Sequence, residues 1–154
     1  MDKLTFEIEK ILDHAMEIIK ASIPVEAGHL MLPDSDELYF AAAFRLDMNK
    51  IKNVRLHKGE GIAGHVFEHG IPVIVNDARR HPQFSPAVDE ETGISTRTIL
   101  CVPLISQSQV TGVITLLNKT DGVFNEADEK LMRSIACTVG IALENARLYN
   151  TKRH

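Results

Sequence analysis

The sequence contains no tryptophan, few aromatic residues (5%), two cysteines, no excess of basic charge and no long apolar run. Each scarcity removes a class of protein. No apolar stretch approaches the roughly 18 residues that cross a bilayer, and Met1-Asp2-Lys3-Leu4-Thr5-Phe6-Glu7 lacks a signal-peptide pattern, so no membrane contact by this domain is expected. Lys and Arg total 17 against 21 Asp and Glu, and no basic cluster interleaves with aromatics, which argues against nucleic acid as a partner. Cys101 and Cys137 lie far apart in apolar segments, the pattern of buried thiols rather than of a disulfide or metal site, and a reducing cytoplasm is the expected location. The motifs of the common catalytic sites are missing: no phosphate-binding G-x-x-x-x-G-K-[ST], no G-x-S-x-G, no H-E-x-x-H and no C-x-x-C.

What is present is an ordinary globular composition, with 44% hydrophobic and 25% charged residues over 154 positions, enough chain for one core without disulfides or metal. From Leu4, apolar residues at Ile8, Ile11, Leu12, Ala15, Ile18 and Ile19 predict an amphipathic helix over 1–22, stopped by Pro24. Residues 25–32 and 38–44 read as strands joined by the turn-rich Pro33–Glu37, and Asn53–Leu56 as a further strand. Gly59, Gly61 and Gly64 bracket a short helix carrying Ile62, Ala63, Val66 and Phe67, with Gly70 as its stop. Pro72–Val75 predicts a strand. The polar stretch to Gly93 resembles a lid, with Ser85 as N-cap and Pro86 in the first helical position. Strands over Thr96–Leu104 and Val110–Asn118 form the clearest hairpin. Asn125 caps a last helix to about Tyr149, with Asp128 in its third position and Leu131, Ile135, Val139, Leu143 and Ala146 as its apolar stripe. The order predicts an α+β fold, helices on an antiparallel sheet, without repeats or low-complexity linkers.

Seven histidines (His14, His29, His57, His65, His69, His81 and His154) are scattered, and His65 with His69 is the single i,i+4 pair on a predicted helix. With no third ligand nearby, no metal site is expected.

The richest constellation is Gly61-Ile62-Ala63-Gly64-His65-Val66, then Asn76-Asp77-Ala78, His81-Pro82-Gln83-Phe84, Val88-Asp89, Thr92-Gly93 and Thr96-Arg97, then Ile99-Leu100-Cys101-Val102-Pro103-Leu104, and finally Gly112-Val113, Asn118-Lys119, Phe124, Asp128 and Glu129. Together these resemble a GAF domain, and the last group resembles the N-K-…-F-x-x-x-D-E signature of the cyclic-nucleotide-binding GAF domains of phosphodiesterases and adenylyl cyclases. The resemblance covers nearly the whole chain, read as a single domain over 1–154. It implies a GAF-like central antiparallel sheet with N- and C-terminal helices on one face and a ligand pocket under short helices and loops on the other.

It further implies a sensory and regulatory domain that needs no cofactor, is not itself an enzyme, binds a small ligand, cAMP or cGMP, and signals through its terminal helices to an effector domain. A homodimer through the helices at 1–22 and 125–150 is expected, against the alternative that both stripes only cover the sheet. Ile62 and Ala63 would offer backbone N–H groups to the cyclic phosphate at a helix N-terminus. Asp89, Thr92 and Thr96 follow the family's lid pattern and are candidates for the base edge, ribose and phosphate. Thr92 with Gly93 can equally end a helix, and Asp89 can be one of three solvated acids with Glu90 and Glu91. Lys119 and Asp128 are expected to form an ion pair that shapes the pocket without touching the ligand.

Three departures bear on base recognition. Ser85 stands where relatives carry an aromatic, Gly28-His29 where a small residue followed by Ser is common, and Thr115 where Glu or Gln is frequent. Phe44 is a candidate for the missing aromatic contact or a core residue. His29 is a candidate donor to a base nitrogen or phosphate, or an ordinary strand histidine. A scaffold that has lost its ligand, and a GAF sensor for another small molecule, are the alternatives. Reduction of free methionine sulfoxide, an activity of some stand-alone GAF proteins, needs an accessible nucleophilic cysteine, which neither Cys101 nor Cys137 is expected to be.

Overall fold

A computed structural model of the protein describes residues 2–152, so Met1, Arg153 and His154 lie outside the described residues. Helix α1 (Lys3–Ser22) begins where the Asp2 carboxylate accepts the Thr5 amide at 2.7 Å, and ends before Pro24. Strands β1 (Val25–Asp34) and β2 (Glu37–Phe44) form the first hairpin. A four-residue helix α2 (Met48–Ile51), started by Asp47, and strand β3 (Arg55–His57) follow. The sequence pattern does not reveal α2, since one helical turn carries no periodicity.

Helix α3 (Gly61–His69) ends at left-handed Gly70. Strand β4 (Val73–Val75), a single 3-10 turn at Ala78–Arg80 and helix α4 (Ala87–Thr92) lead into the second hairpin, β5 (Ile99–Ser106) and β6 (Gln109–Lys119). Its two-residue turn places Gln107 and Ser108 both at positive φ (51° and 65°), the handedness that suits twisted antiparallel strands. Strand β5 starts at Ile99, not at the expected Thr96, because Thr96 is bonded into the lid. Helix α5 (Glu126–Lys152) closes the chain with a reciprocal cap: Asn125 Oδ1 accepts the Asp128 amide at 2.9 Å and Asp128 Oδ2 accepts the Asn125 amide at 3.0 Å.

The six strands form one antiparallel sheet in the order β3-β2-β1-β6-β5-β4. This is the α+β, GAF-like arrangement expected. Alternating residues feed two apolar layers. On one face Leu30, Leu100, Val102, Ile114 and Leu116 meet Leu12, Met16 and Ile19 of α1 and Met132, Ala136, Val139 and Leu143 of α5. On the other, Met31, Leu38, Phe40, Cys101 and Val113 meet Ile51 of α2 and Ile62, Val66 and Phe67 of α3.

The terminal helices do cover the sheet, yet their stripes are rotated from the sequence reading. Leu131 and Ile18 are exposed while Met132 and Met16 are buried, because the buried stripe follows the packing line on the sheet. Cys137, expected to be buried, is exposed: it follows Ala136, and a step of one residue turns the side chain about 100° out of the stripe. Cys101 is fully buried.

Candidate functional site

The site lies where α3, the segment 84–96 and the sheet meet. The α3 start is a tight crossing, in which a Cβ on Gly64 would sit 2.6 Å from the His57 carbonyl oxygen, so only glycine fits there. Glu60 stands at the N-cap, but its carboxylate turns back to accept the His57 amide at 2.8 Å and makes no cap bond to the helix. The first-turn amides at Gly61, Ile62 and Ala63 are thus left without a side-chain cap at the positive end of the helix dipole, a ready site for an acceptor or anion. All three residues line a cavity of about 50 Å³ together with His29, Leu56, Phe84, Ser85, Ala87, Val88, Asp89, Thr96, Ile99, Thr115 and Leu117.

The roof is α4 and its flanks. Helix α4 begins at Ala87, one residue later than expected, with Pro86 in the cap position and Ser85 Oγ accepting the Ala87 amide at 3.4 Å. The Asp89 carboxylate accepts both the Thr96 amide, at 2.9 Å, and the Thr96 hydroxyl. This joins the helix to the strand that leads into the sheet, and Asp89 is therefore not one of a row of solvated acids. Thr92 takes the other of its two expected roles. Its hydroxyl donates to the Val88 carbonyl at 2.7 Å at the helix end, Gly93 follows at φ 79°, and Thr92 is absent from the cavity lining.

The floor is a polar row across three strands. His29 on β1 faces Thr115 on β6, and Thr115 faces Cys101 on β5. The Cys101 sulfur lies 3.3 Å from the Thr115 hydroxyl. Burial pushes the Cys101 thiol up to about 12, the Thr115 contact pulling weakly the other way, so the group stays S–H and can donate to Thr115. His29 is 4% exposed, its ring meets Phe40 edge-on with centroids 4.8 Å apart, and burial pushes its pKa down to about 3. It is a neutral imidazole at physiological pH. Its Nδ1 is sealed and has no hydrogen-bond partner.

Of the sequence candidates, the fold brings Ile62, Ala63, Asp89, Thr96, Thr115 and His29 to one cavity. Phe44 is elsewhere, in the layer under the terminal helices. The reason is a β-bulge: Met31 pairs with Phe40 and Leu30 with Ala42, so Ala41 is inserted and the alternation reverses. Before the bulge Leu38 and Phe40 face the site, and after it Ala42 and Phe44 face α1 and α5. Gly28 makes room for Phe44, since a Cβ there would lie 2.5 Å from the ring. The cavity's aromatic wall is Phe84 instead, one position before the serine on which the sequence comparison turned. The phenylalanine in the His81-Pro82-Gln83-Phe84 run carried that signal.

Asn118 ties the roof to the sheet. It is 1% exposed and left-handed (φ 61°), and its Oδ1 accepts the amides of Arg97 (2.6 Å) and Thr98 (3.1 Å) while its Nδ2 donates to Glu26 (2.7 Å) and to the Ser95 carbonyl (3.0 Å). Next to it, Lys119 Nζ contacts Asp128 Oδ2 at 2.7 Å, both side chains 14% exposed, as expected. Phe124 is buried in the helix-side core, and the Glu129 amide donates to the Asn125 carbonyl at 3.1 Å. The signature residues hold the start of α5 to the end of β6 and lie outside the cavity lining. Among the described residues no group of three or more His, Cys, Asp or Glu is placed to hold a metal. Nor is any helix among them long and apolar enough to cross a membrane.

One antiparallel sheet with the terminal helices on one face and short helices over a cavity on the other defines an α+β fold of the GAF type. The chain belongs to the GAF domain family, whose model matches residues 7–144. It is 31% identical over 95% of its length to a probable 3',5'-cyclic phosphodiesterase of Caenorhabditis elegans, and 42% identical over 67% of its length to a dual 3',5'-cyclic-AMP and -GMP phosphodiesterase of Drosophila melanogaster. The chain spans about a fifth of the first relative (21%) and 7% of the second. Among solved structures it is similar to a GAF domain/HD domain protein from Geobacter sulfurreducens (TM-score 0.80, 12% identity, covering 96% of this chain and 99% of that one). It is also similar to a type II free methionine-R-sulfoxide reductase from Thermoplasma acidophilum (TM-score 0.77, 17% identity, 93% and 96%). The fold is thus shared by a GAF domain/HD domain protein and by an enzyme.

Proposed function

We propose that this domain is a cytoplasmic, non-catalytic sensor that binds a cyclic nucleotide, cAMP or cGMP, in the cavity between α3, α4 and the sheet, and signals through α1 and α5 to an effector domain. The observation that carries the reading is the conjunction of uncapped α3 amides with the Asp89–Thr96 pair and a polar floor around one cavity that no Lys or Arg lines. A cyclic phosphodiester bears a single negative charge, which suits backbone amides and a helix dipole. A nucleoside triphosphate would need cationic side chains. The relatives' printed names, cyclic-nucleotide phosphodiesterases, support the ligand class, and their length beyond the matched segment supports a linked output domain.

The cavity of about 50 Å³ is far below the roughly 300 Å³ of a typical small-ligand site. Binding in this reading opens the roof and recloses it around the ligand, so a difference in affinity between the two states is what biases the helices. The closed cavity is also the one feature that favours the second reading, a scaffold that no longer binds ligand. An enzyme reading has less support: Cys101 is sealed beneath the floor with its thiol protonated, and Cys137 lies on α5, on the helix face of the sheet. Two free cysteines support a reducing compartment.

A homodimer is part of the proposal. The outer side of α5 carries Leu131, Ser134, Thr138, Ile141, Asn145 and Leu148, all exposed and spaced alternately three and four apart, the seam of a two-stranded coiled coil. Isothermal titration with cAMP, cGMP and 5'-AMP tests the ligand reading. Saturable binding of a cyclic form alone upholds it, and no heat with any of them, together with an unshifted melting curve, leaves the scaffold reading.

A further inference from the structure

Buried imidazoles usually have one ring nitrogen bonded to a carbonyl or carboxylate, and that bond decides which nitrogen carries the proton. His29 lacks this device. Its Nδ1 is sealed with no partner, the single buried side-chain nitrogen or oxygen left unsatisfied among the described residues, and the ring is neutral. An unbonded lone pair and an unbonded N–H at Nδ1 are both uncompensated, so the surroundings favour neither tautomer strongly. The ring lines the cavity beside Thr115, whose oxygen can be occupied by the Cys101 thiol so that its own O–H is free to donate. With Nδ1 sealed, Nε2 is the nitrogen a ligand can reach.

We propose, resting on the cyclic-nucleotide reading, that His29 is a specificity-determining residue that takes the tautomer its ligand requires, so that one side chain reads either an amino donor or a carbonyl acceptor at C6 of the purine. With adenine, the exocyclic amino group donates to Nε2 and the proton sits on Nδ1. With guanine, Nε2–H donates to the exocyclic oxygen. The proton changes nitrogen within the ring and no net charge is created. Neither purine leaves Nε2 unpaired, and Nδ1 has no partner with either, so the one-sided loss of a buried hydrogen bond on which strong rejection depends does not arise at this position. The cavity therefore admits both cyclic nucleotides with affinities within about tenfold of each other, the weight of one ordinary hydrogen bond.

The test is ¹H–¹⁵N correlation of uniformly ¹⁵N-labelled protein, alone and with saturating cAMP or cGMP, read at the His29 ring nitrogens, with the Ile62 and Ala63 amides as an independent report of occupancy. The expected result is averaged His29 nitrogen shifts without ligand, an Nδ1–H ring with cAMP and an Nε2–H ring with cGMP. His29→Phe is expected to weaken both nucleotides by a similar factor, about tenfold. The same nitrogen protonated in both complexes overturns the proposal while the ligand reading stands. So do unchanged ring shifts alongside moving Ile62 and Ala63 amides, or a His29→Phe loss confined to one nucleotide. If neither nucleotide moves those amides, the ligand reading itself has failed and the proposal falls with it.

Discussion

Asp89 holds Thr96 by two bonds, from its backbone amide and from its hydroxyl, and so ties the roof down over the cavity. A ligand that uses either group must exchange this contact for its own. Since hydrogen bonds to a charged acceptor contribute roughly 1.5 to 3 kcal/mol each, the roof has a defined energetic threshold for opening.

Asp89→Ala is therefore expected to speed amide exchange at Ser95–Arg97 and to weaken cyclic-nucleotide binding by tenfold or more. Its effect on the melting temperature should be small, because α4 is six residues long and contains no buried residue. Hydrogen exchange by mass spectrometry and titration calorimetry on the same sample provide the check. Unaltered affinity with accelerated exchange would limit Asp89 to holding the roof.

The Lys119–Asp128 pair makes a different prediction, because both side chains are nearly covered and Asp128 also caps α5 through the Asn125 amide. Removing one member of such a pair leaves an uncompensated charge, at a cost of about 3 kcal/mol. Lys119→Ala is expected to lower the melting temperature by about 10 °C. The Lys119→Ala/Asp128→Asn double variant should recover part of that loss. An unaltered melting curve for Lys119→Ala would remove the pair from the account of how β6 holds α5.

Much of this arrangement is legible in the sequence, and the parts that are not share a cause. The Asn125/Asp128 cap and the Gln107-Ser108 hairpin turn are set by residues within four positions of one another, and the Gly64 crossing by residues seven apart, so local chemistry reveals them. Phe44 is misplaced in the sequence reading because one inserted residue, Ala41, reverses the faces of β2, and a run of Ala41-Ala42-Ala43 gives the alternation no polar residue to mark the slip. Cys137 sits in an apolar stretch of sequence, but only contact with the sheet decides that Ala136 and Val139 face inward while Cys137 does not. The His29–Thr115–Cys101 row unites neighbours 86 and 14 positions apart through strand register alone.

Two buried groups on that row predict a stability profile with a plateau. His29 has a folded value of about 3 against an ordinary 6.5, so the unfolded chain binds the extra proton between those values. Its contribution is fully present above pH 6.5 and is lost as pH falls, by up to about 1.4 kcal/mol per unit. Cys101 has a folded value of about 12 against 9.0, so the unfolded chain releases its proton first and stability falls as pH rises above 9. Chemical denaturation across pH 4 to 10 is expected to show maximal stability between about 6.5 and 9. His29→Leu should remove the one-proton slope on the acid side and leave the alkaline fall in place. An acid limb of equal slope in both proteins would assign it to other groups.

The outer seam of α5 gives the last prediction. Ile141 is 57% exposed and Leu148 46% exposed on a side of the helix that the sheet does not cover, and Asn145 lies between them in the same seam. In a parallel two-stranded coil the seam residues of two copies meet in register, so Asn145 would pair with its own counterpart, a polar contact that selects two strands and alignment over other assemblies. Sedimentation at tens of micromolar is expected to give a dimer for the native chain. Ile141→Asp should yield a monomer with an unchanged melting onset at low concentration, since Ile141 makes no part of the core. Asn145→Leu should tighten association while admitting species larger than a dimer. A native chain that stays monomeric at several hundred micromolar would reduce the seam to surface residues and leave α5 to act on a linked domain without a second copy.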